Sequence, residues 1–92
     1  MKLQVGGLYS YPAAARKVEP HRKYYYYDNR YILVASDEFI DHIERGESFV
    51  LLEVDNNPEV KSCAHLKVLT AKGIVGWITY IDKTELVKIT QP

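Results

Sequence analysis

The chain has 92 residues, of which 47% are hydrophobic, and its formal net charge is zero. This length predicts a single domain over 1–92 with a small core, and a zero net charge provides no long-range attraction to nucleic acid or to an anionic membrane. A single cysteine, Cys63, excludes an internal disulfide, and no apolar run is long enough to cross a bilayer. We therefore expect a cytoplasmic protein.

The first third of the chain predicts a strand, a loop and a hairpin of tyrosines. Residues 3–11 alternate around two glycines and predict a strand that bends there, and 12–23 are typical of a polar loop with one helical turn at 13–15. The runs 24–27 and 30–34 flank Asp28-Asn29, a pair that tolerates the positive φ of a two-residue turn. By alternation, we expect one pair of tyrosines in the first run to cover the core and the other pair to be exposed.

Residues 37–45 carry the signals of a short helix. Ser36 is a suitable N-cap, and the acidic residues that follow it suit the positive end of the helix dipole. Phe39 and Ile43 recur at helical spacing, and Gly46 suits the C-terminal cap. We therefore predict a helix over 37–45 with Phe39 and Ile43 facing the core.

The second half of the chain predicts four strands joined by short turns. Their predicted ranges are 48–54, 62–70, 74–80 and 85–89. The clearest turn signals are Asp55-Asn56-Asn57-Pro58 and Ala71-Lys72-Gly73, and the latter predicts a tight hairpin with Gly73 at positive φ. A weaker turn signal lies at 82–84. Because Trp77 lies mid-strand among apolar residues, we expect a buried ring that anchors the fold.

Four segments stand out along the chain: Leu8-Tyr9-Ser10-Tyr11, Phe49 to Val54, Gly73 to Ile78 and Leu86-Val87. In this order they resemble four segments of SH3 domains, namely the Ala-Leu-Tyr-Asp-Tyr motif, the second strand, the Gly-x-x-Gly-Trp-Ile segment and the closing strand. The resemblance implies a mostly β fold, a small SH3-like barrel of five to six strands with one short helix at about 37–45. The pattern also resembles small uncharacterised SH3-like proteins of tailed bacteriophages, which implies a viral accessory or structural component in the host cytoplasm.

Two departures from the SH3 pattern argue against recognition of proline motifs. Peptide-binding SH3 domains carry acidic residues in the first long loop, whereas the loop here is basic. They also carry a tryptophan at the start of the third strand, where this chain has Ser62-Cys63-Ala64-His65. Since a shared fold does not transfer function, the binding role has to be argued from these residues.

The sequence offers little for catalysis. Cys63 and His65 would share one face of a strand, but an activated thiolate also needs an orienting group, and none is evident nearby. A buried or half-buried cysteine beside a surface histidine is the preferred interpretation. One cysteine and three scattered histidines fall short of a metal site. We therefore expect no enzyme activity, no metal and no cofactor.

Charges and tyrosines favour a binding surface. Residues 16–30 carry an excess of three positive charges, and 37–59 carry an excess of seven negative charges. The candidate binding residues are Arg22, Lys23, Tyr25, Tyr27, Arg30, Tyr9 and Tyr11. Tyrosine and arginine are enriched at protein interfaces, and they also contact nucleic acid. Another protein, of host or virus, is the preferred partner, nucleic acid is the first alternative and a Cys/His enzyme is the second. The two charge blocks are also compatible with a homo-oligomer, and simple packing of the tyrosines on the core is the competing interpretation.

Overall fold

The computed structural model describes residues 3–11, 15–33, 37–59, 63–80 and 87–88. The mostly β class predicted from the sequence is confirmed, and these ranges contain no helix. The strands are β1 (Leu8–Ser10), β2 (Arg16–Val18), β3 (Tyr24–Tyr27), β4 (Arg30–Leu33), β5 (Asp41–Ile43), β6 (Ser48–Asn56), β7 (Ala64–Thr70), β8 (Val75–Tyr80) and β9 (Val87–Lys88).

The described strands form one antiparallel sheet of five strands and two strand pairs. The sheet has the order β8-β7-β6-β1-β9, β2 pairs with β5, and β3 pairs with β4. At the β8 edge, Glu19 and Trp77 exchange two backbone hydrogen bonds of 2.6 and 2.8 Å. This single bridge joins the β2 segment to the sheet, and the described strands do not close into a barrel.

The predicted central hairpin is confirmed as β7 and β8. Gly73 has a φ of 83°, which is the reason that glycine suits this turn. The Thr70 N–H donates to the Ile74 carbonyl at 2.8 Å, and the Gly73 N–H donates to the Thr70 carbonyl at 2.9 Å. The last predicted strand is confirmed over β9, which pairs with β1, while the turn at 82–84 and the ends of that strand lie outside the described residues.

The long strand β6 contains a bulge that changes which side chains face the core. Leu51 pairs with Val68, and Glu53 pairs with Lys67, so Leu52 is the extra residue. Phe49 and Leu51, on one side of the bulge, are buried in the core. Beyond it, alternation restarts, so that Glu53 and Asp55 lie on the outer face of the sheet.

The core lies on the inner face of the five-stranded sheet. Its buried side chains are Tyr9, Tyr11, Val18, Ile43, Phe49, Leu51, Ala64, Leu66, Val68 and Ile78. Trp77 is not among them, so the prediction of a buried anchor is wrong. Its neighbours Gly76 and Ile78 are buried, and strand alternation therefore places the half-buried Trp77 ring on the outer face.

The prediction of a helix over 37–45 is wrong. Residues 41–43 form β5, which pairs with β2, and the Ile40 N–H donates to the Val18 carbonyl at 2.8 Å. Ile43 is buried in the core as predicted, but Phe39 is 48% exposed. A long-range partner strand has therefore overridden the local helical pattern, and Ser36 lies outside the described residues.

The first predicted strand and loop are confirmed only in part. Within 3–11, the strand is β1, and the chain bends before it at Gly6, where φ is 87°. The predicted loop 12–23 contains β2, whose Val18 is buried in the core. Most of the helical turn at 13–15 lies outside the described residues.

The described part of the chain has no helix long and apolar enough to span a membrane.

Candidate functional site

The tyrosine hairpin, formed by residues 24–33, is confirmed in its predicted register. Asp28 and Asn29 have φ values of 49° and 62°, which is the backbone of a two-residue turn. Tyr25 lies opposite Ile32, and Tyr27 lies opposite Arg30. Since directly opposite residues share a face, these four side chains form one surface, which we call the tyrosine face.

The tyrosine face is open to solvent. Tyr25 is 53% exposed and Tyr27 is 68% exposed, and Arg30 and Ile32 are also exposed. Among the described strands, β3 and β4 pair with each other and with no further strand. The result is an aromatic surface of two tyrosines and one isoleucine with a single positive charge.

The opposite face of the hairpin does not cover the core either. Tyr26 is 64% exposed and packs edge-on against Tyr31, with the ring centroids 5.5 Å apart. The Tyr26 hydroxyl donates to Asn29 Oδ1 at 2.9 Å, which ties the strand to the turn. Tyr24 is half-buried. The expectation that one pair of tyrosines packs on the core is therefore wrong, because Tyr24 reaches the sheet and Tyr26 does not.

Two hydrogen bonds attach the hairpin to the far end of β6, one at its base and one nearer the turn, at Tyr31. The Tyr24 hydroxyl donates to the Asp55 carbonyl at 2.6 Å. The Asn57 side-chain amide donates to the Tyr31 carbonyl at 3.3 Å, and Asn57 itself is buried. The hairpin is therefore attached both at its base and along β4, by contacts that leave Tyr25 and Tyr27 of the tyrosine face exposed.

Beneath Tyr24, a row of polar side chains crosses the outer face of the sheet. Asp55 of β6 pairs with His65 of β7, and His65 pairs with Thr79 of β8. The bulge in β6 places Asp55 in this row. The Tyr24 ring covers His65 edge-on, with the two ring centroids 4.8 Å apart. Glu19, which is buried, accepts a hydrogen bond from the Thr79 hydroxyl at 3.1 Å. We call these five residues the outer-face cluster.

His65 is fully buried, which contradicts the expected surface histidine. Neither of its ring nitrogens has a hydrogen-bond partner among the described residues. Burial lowers the pKa of His65 below its ordinary 6.5, against the opposing influence of the Glu19 and Asp55 carboxylates. The imidazole is therefore neutral at pH 7. Burial and the Asp55 carboxylate also raise the pKa of the Tyr24 hydroxyl, which keeps it a hydrogen-bond donor.

The remaining candidate residues separate into two groups. Arg22 lies against the sheet, where its guanidinium is 3.1 Å from the Asp55 carboxylate and 5.4 Å from the centroid of the Trp77 ring. Lys23 is half-buried next to it in the chain. Tyr9 and Tyr11 are core residues that stack on Phe49, so their side chains form no part of the tyrosine face.

The described residues do not form a group of three or more His, Cys, Asp or Glu side chains placed to bind a metal ion. Cys63 is half-buried. Comparison with family models, curated proteins and solved structures finds no match to this chain. The tyrosine face and the outer-face cluster are therefore the two features of the described residues that point to a function.

Proposed function

We propose that this chain is a non-catalytic protein-binding module that binds its partner through the tyrosine face. The exposure of Tyr25 and Tyr27 on one side of a hairpin that Tyr24 and Tyr31 attach to the sheet supports this role. The resemblance of the sequence to SH3-like proteins of tailed bacteriophages favours an accessory or structural component of a virus. The protein would then act in the host cytoplasm.

The chemistry of the face suggests what a partner must present. Its rings and Ile32 need an apolar surface, since contiguous exposed apolar groups typically mark interaction sites. Arg30 carries the one charge of the face, and a carboxylate on the partner would complement it. We therefore propose a protein surface that is apolar at its centre and acidic at its edge.

Nucleic acid is the alternative because exposed rings beside basic residues also stack on bases. The dependence of the binding affinity on salt concentration distinguishes a protein partner from nucleic acid. Binding to phosphates releases counterions, so that affinity falls steeply as the salt concentration rises, whereas binding by aromatic burial loses little. The position of Arg22 favours a protein partner over nucleic acid. Its guanidinium pairs with the Asp55 and Glu53 carboxylates, so its positive charge is less available to bind phosphates.

The partner should first be captured from native host lysate with and without nuclease, and its affinity then measured against salt. We expect the double substitution Tyr25→Ser and Tyr27→Ser to weaken binding by about 30-fold or more, the range of an interface hot spot. We expect Lys23→Glu to weaken it by about fivefold or less, as a charge at the rim would.

The matched control is Tyr26→Ser, which removes a tyrosine equally exposed but on the opposite face of the hairpin. We expect it to bind the partner within about twofold of the parent chain, since it leaves the tyrosine face intact. Circular dichroism should show all variants folded. Tight oligonucleotide binding that disappears with added salt and survives the tyrosine substitutions would overturn the proposal in favour of nucleic acid.

A further inference from the structure

The outer-face cluster holds a neutral histidine in a position where a charged one could not stay. His65 is fully buried, and the Tyr24 ring lies over it. An imidazolium has two N–H donors, and each would need an acceptor. In this structure, neither ring nitrogen has one among the described residues. A buried, unpaired cation is far more costly than the loss of a single neutral hydrogen bond.

We propose that His65 and Tyr24 form a proton-sensitive latch, which holds the tyrosine hairpin on the five-stranded sheet and releases it when the imidazole takes up a proton. Tyr24 is the cover because it lies over His65 and also donates the hydrogen bond to Asp55 that fixes the hairpin base. Movement of this one side chain therefore both hydrates the imidazolium and breaks the hydrogen bond at the hairpin base, which loosens a hairpin otherwise joined to the sheet by the bond from Asn57 to the Tyr31 carbonyl.

The neighbours of His65 decide whether a proton could be accommodated without opening. The titratable or charged groups that face it are Tyr24 of β3, Asp55 of β6, and Glu19 and Arg22 from the segment between β2 and β3. Strand β8 contributes Thr79, which does not titrate. Neither carboxylate hydrogen-bonds to a ring nitrogen, and each is held by another group, Glu19 by the Thr79 hydroxyl and Asp55 by the Arg22 guanidinium. In this arrangement no described side chain accepts from the ring, and water reaches it when Tyr24 moves away.

The direction of the pH dependence follows from proton linkage. In the latched state the pKa of His65 lies below 6.5, whereas in the open state the hydrated imidazole titrates near that ordinary value. At pH values well above about 6.5 the ring is neutral in both states, and its protonation does not oppose closure. As the pH falls below that value, the open state binds more protons, and the equilibrium constant for opening rises by up to about tenfold per pH unit.

The experiment is NMR on the full chain without any partner, at about pH 7.5 and about pH 5. We expect hydrogen exchange of the β3 and β4 amides, corrected for the intrinsic effect of pH, to accelerate by about tenfold or more at the lower pH. A released two-stranded hairpin is marginally stable and frays. The β7 and β8 amides should keep their protection, and the cross-peak between the Tyr24 and His65 rings should weaken.

Two substitutions isolate the latch. His65→Leu removes the titrating group and should abolish the pH response, whereas His42→Leu, on β5, should leave it unchanged. Equal protection of the hairpin at both pH values, or a response that persists in His65→Leu, would overturn the proposal. If His65→Leu does not fold, the titration of His65 in the parent chain decides instead, because an imidazole that titrates at or above 6.5 contradicts the latch.

The consequence for function rests on the proposed binding role, while the latch itself does not. A hairpin released at low pH would lose the fixed arrangement of the tyrosine face, and the affinity for a partner should fall over the same pH range. Because opening is measured in the absence of a partner, a tyrosine face that binds nothing would leave the NMR result standing. If the hairpin never opens, the latch is contradicted, but the effect of the tyrosine substitutions on partner binding still tests the proposed function.

Discussion

Phe49→Ala should lower the free energy of unfolding by about 3–5 kcal/mol, the usual cost of truncating a buried phenylalanine. Phe49 is 1% exposed and lies mid-core on β6, with the rings of Tyr9 and Tyr11 stacked at centroid distances of 6.3 and 5.8 Å. Both tyrosines are themselves buried, so neither can move far to fill the cavity. Since small domains have about 5–15 kcal/mol of stability in total, the truncation should remove a large fraction of it.

Phe39→Ala is the matched control, because the chain has two phenylalanines in opposite environments. Phe39 is 48% exposed, and its contacts are with the His42 ring and the Lys17 ammonium. We expect its truncation to cost less than about 1 kcal/mol in urea denaturation monitored by circular dichroism. Equal losses for the two variants would mean that Phe39 packs on the core, as the predicted helix required.

The features predicted correctly from the sequence are those that short segments determine. The central hairpin and the tyrosine hairpin each depend on a few turn residues, Gly73 in one and Asp28-Asn29 in the other, between runs of β-forming residues. In both cases the partner strand is the next segment of the chain. Local propensity, turn chemistry and pairing therefore agree, and the register follows from the turn.

The features predicted wrongly depend on contacts between distant segments. The pattern of residues 37–45 satisfies the rules for a helix. Instead, β5 pairs with β2, a strand more than twenty residues earlier in the chain, and this pairing supplies the backbone hydrogen bonds and buries Ile43. Strand β2 itself, with one buried residue in three, has no visible alternation. Propensity is a weak influence in such short segments, and tertiary pairing overrides it.

The candidate site was predictable in its residue types and not in its geometry. Tyr25, Tyr27 and Arg30 followed from composition and alternation. The burial of His65 did not, because it depends on the bulge at Leu52 and on the cover that Tyr24 provides. A sequence signal for the bulge is hard to find, since one extra apolar residue in an apolar strand resembles ordinary variation. The outer-face cluster could therefore be identified only from the structure.

Gly76→Ala should be strongly destabilising, although Gly76 has an ordinary β backbone and is the second residue of β8. A Cβ built on Gly76 would overlap Cγ1 of Val18 and would come within 3.0 Å of the Glu19 carbonyl oxygen. Val18 is buried in the core, and the two backbone hydrogen bonds between Glu19 and Trp77 hold the neighbouring segment in place. Relief of the overlap requires movement of β2 away from β8. We expect a loss of about 1–3 kcal/mol, the cost of overpacking, with selective loss of amide protection at Glu19 and Trp77.

Gly76→Val tests the same contact against intrinsic propensity. Valine favours strands over glycine by up to about 1 kcal/mol, so propensity alone predicts that this variant is more stable than the parent. Packing predicts the opposite order, with valine less stable than alanine and alanine less stable than glycine, because each added carbon enlarges the overlap with Val18. Val75→Ala is the control on the same strand, where the side chain is half exposed and the expected change is less than about 1 kcal/mol. A valine variant at least as stable as the parent chain would show that β2 does not pack against β8 at this position.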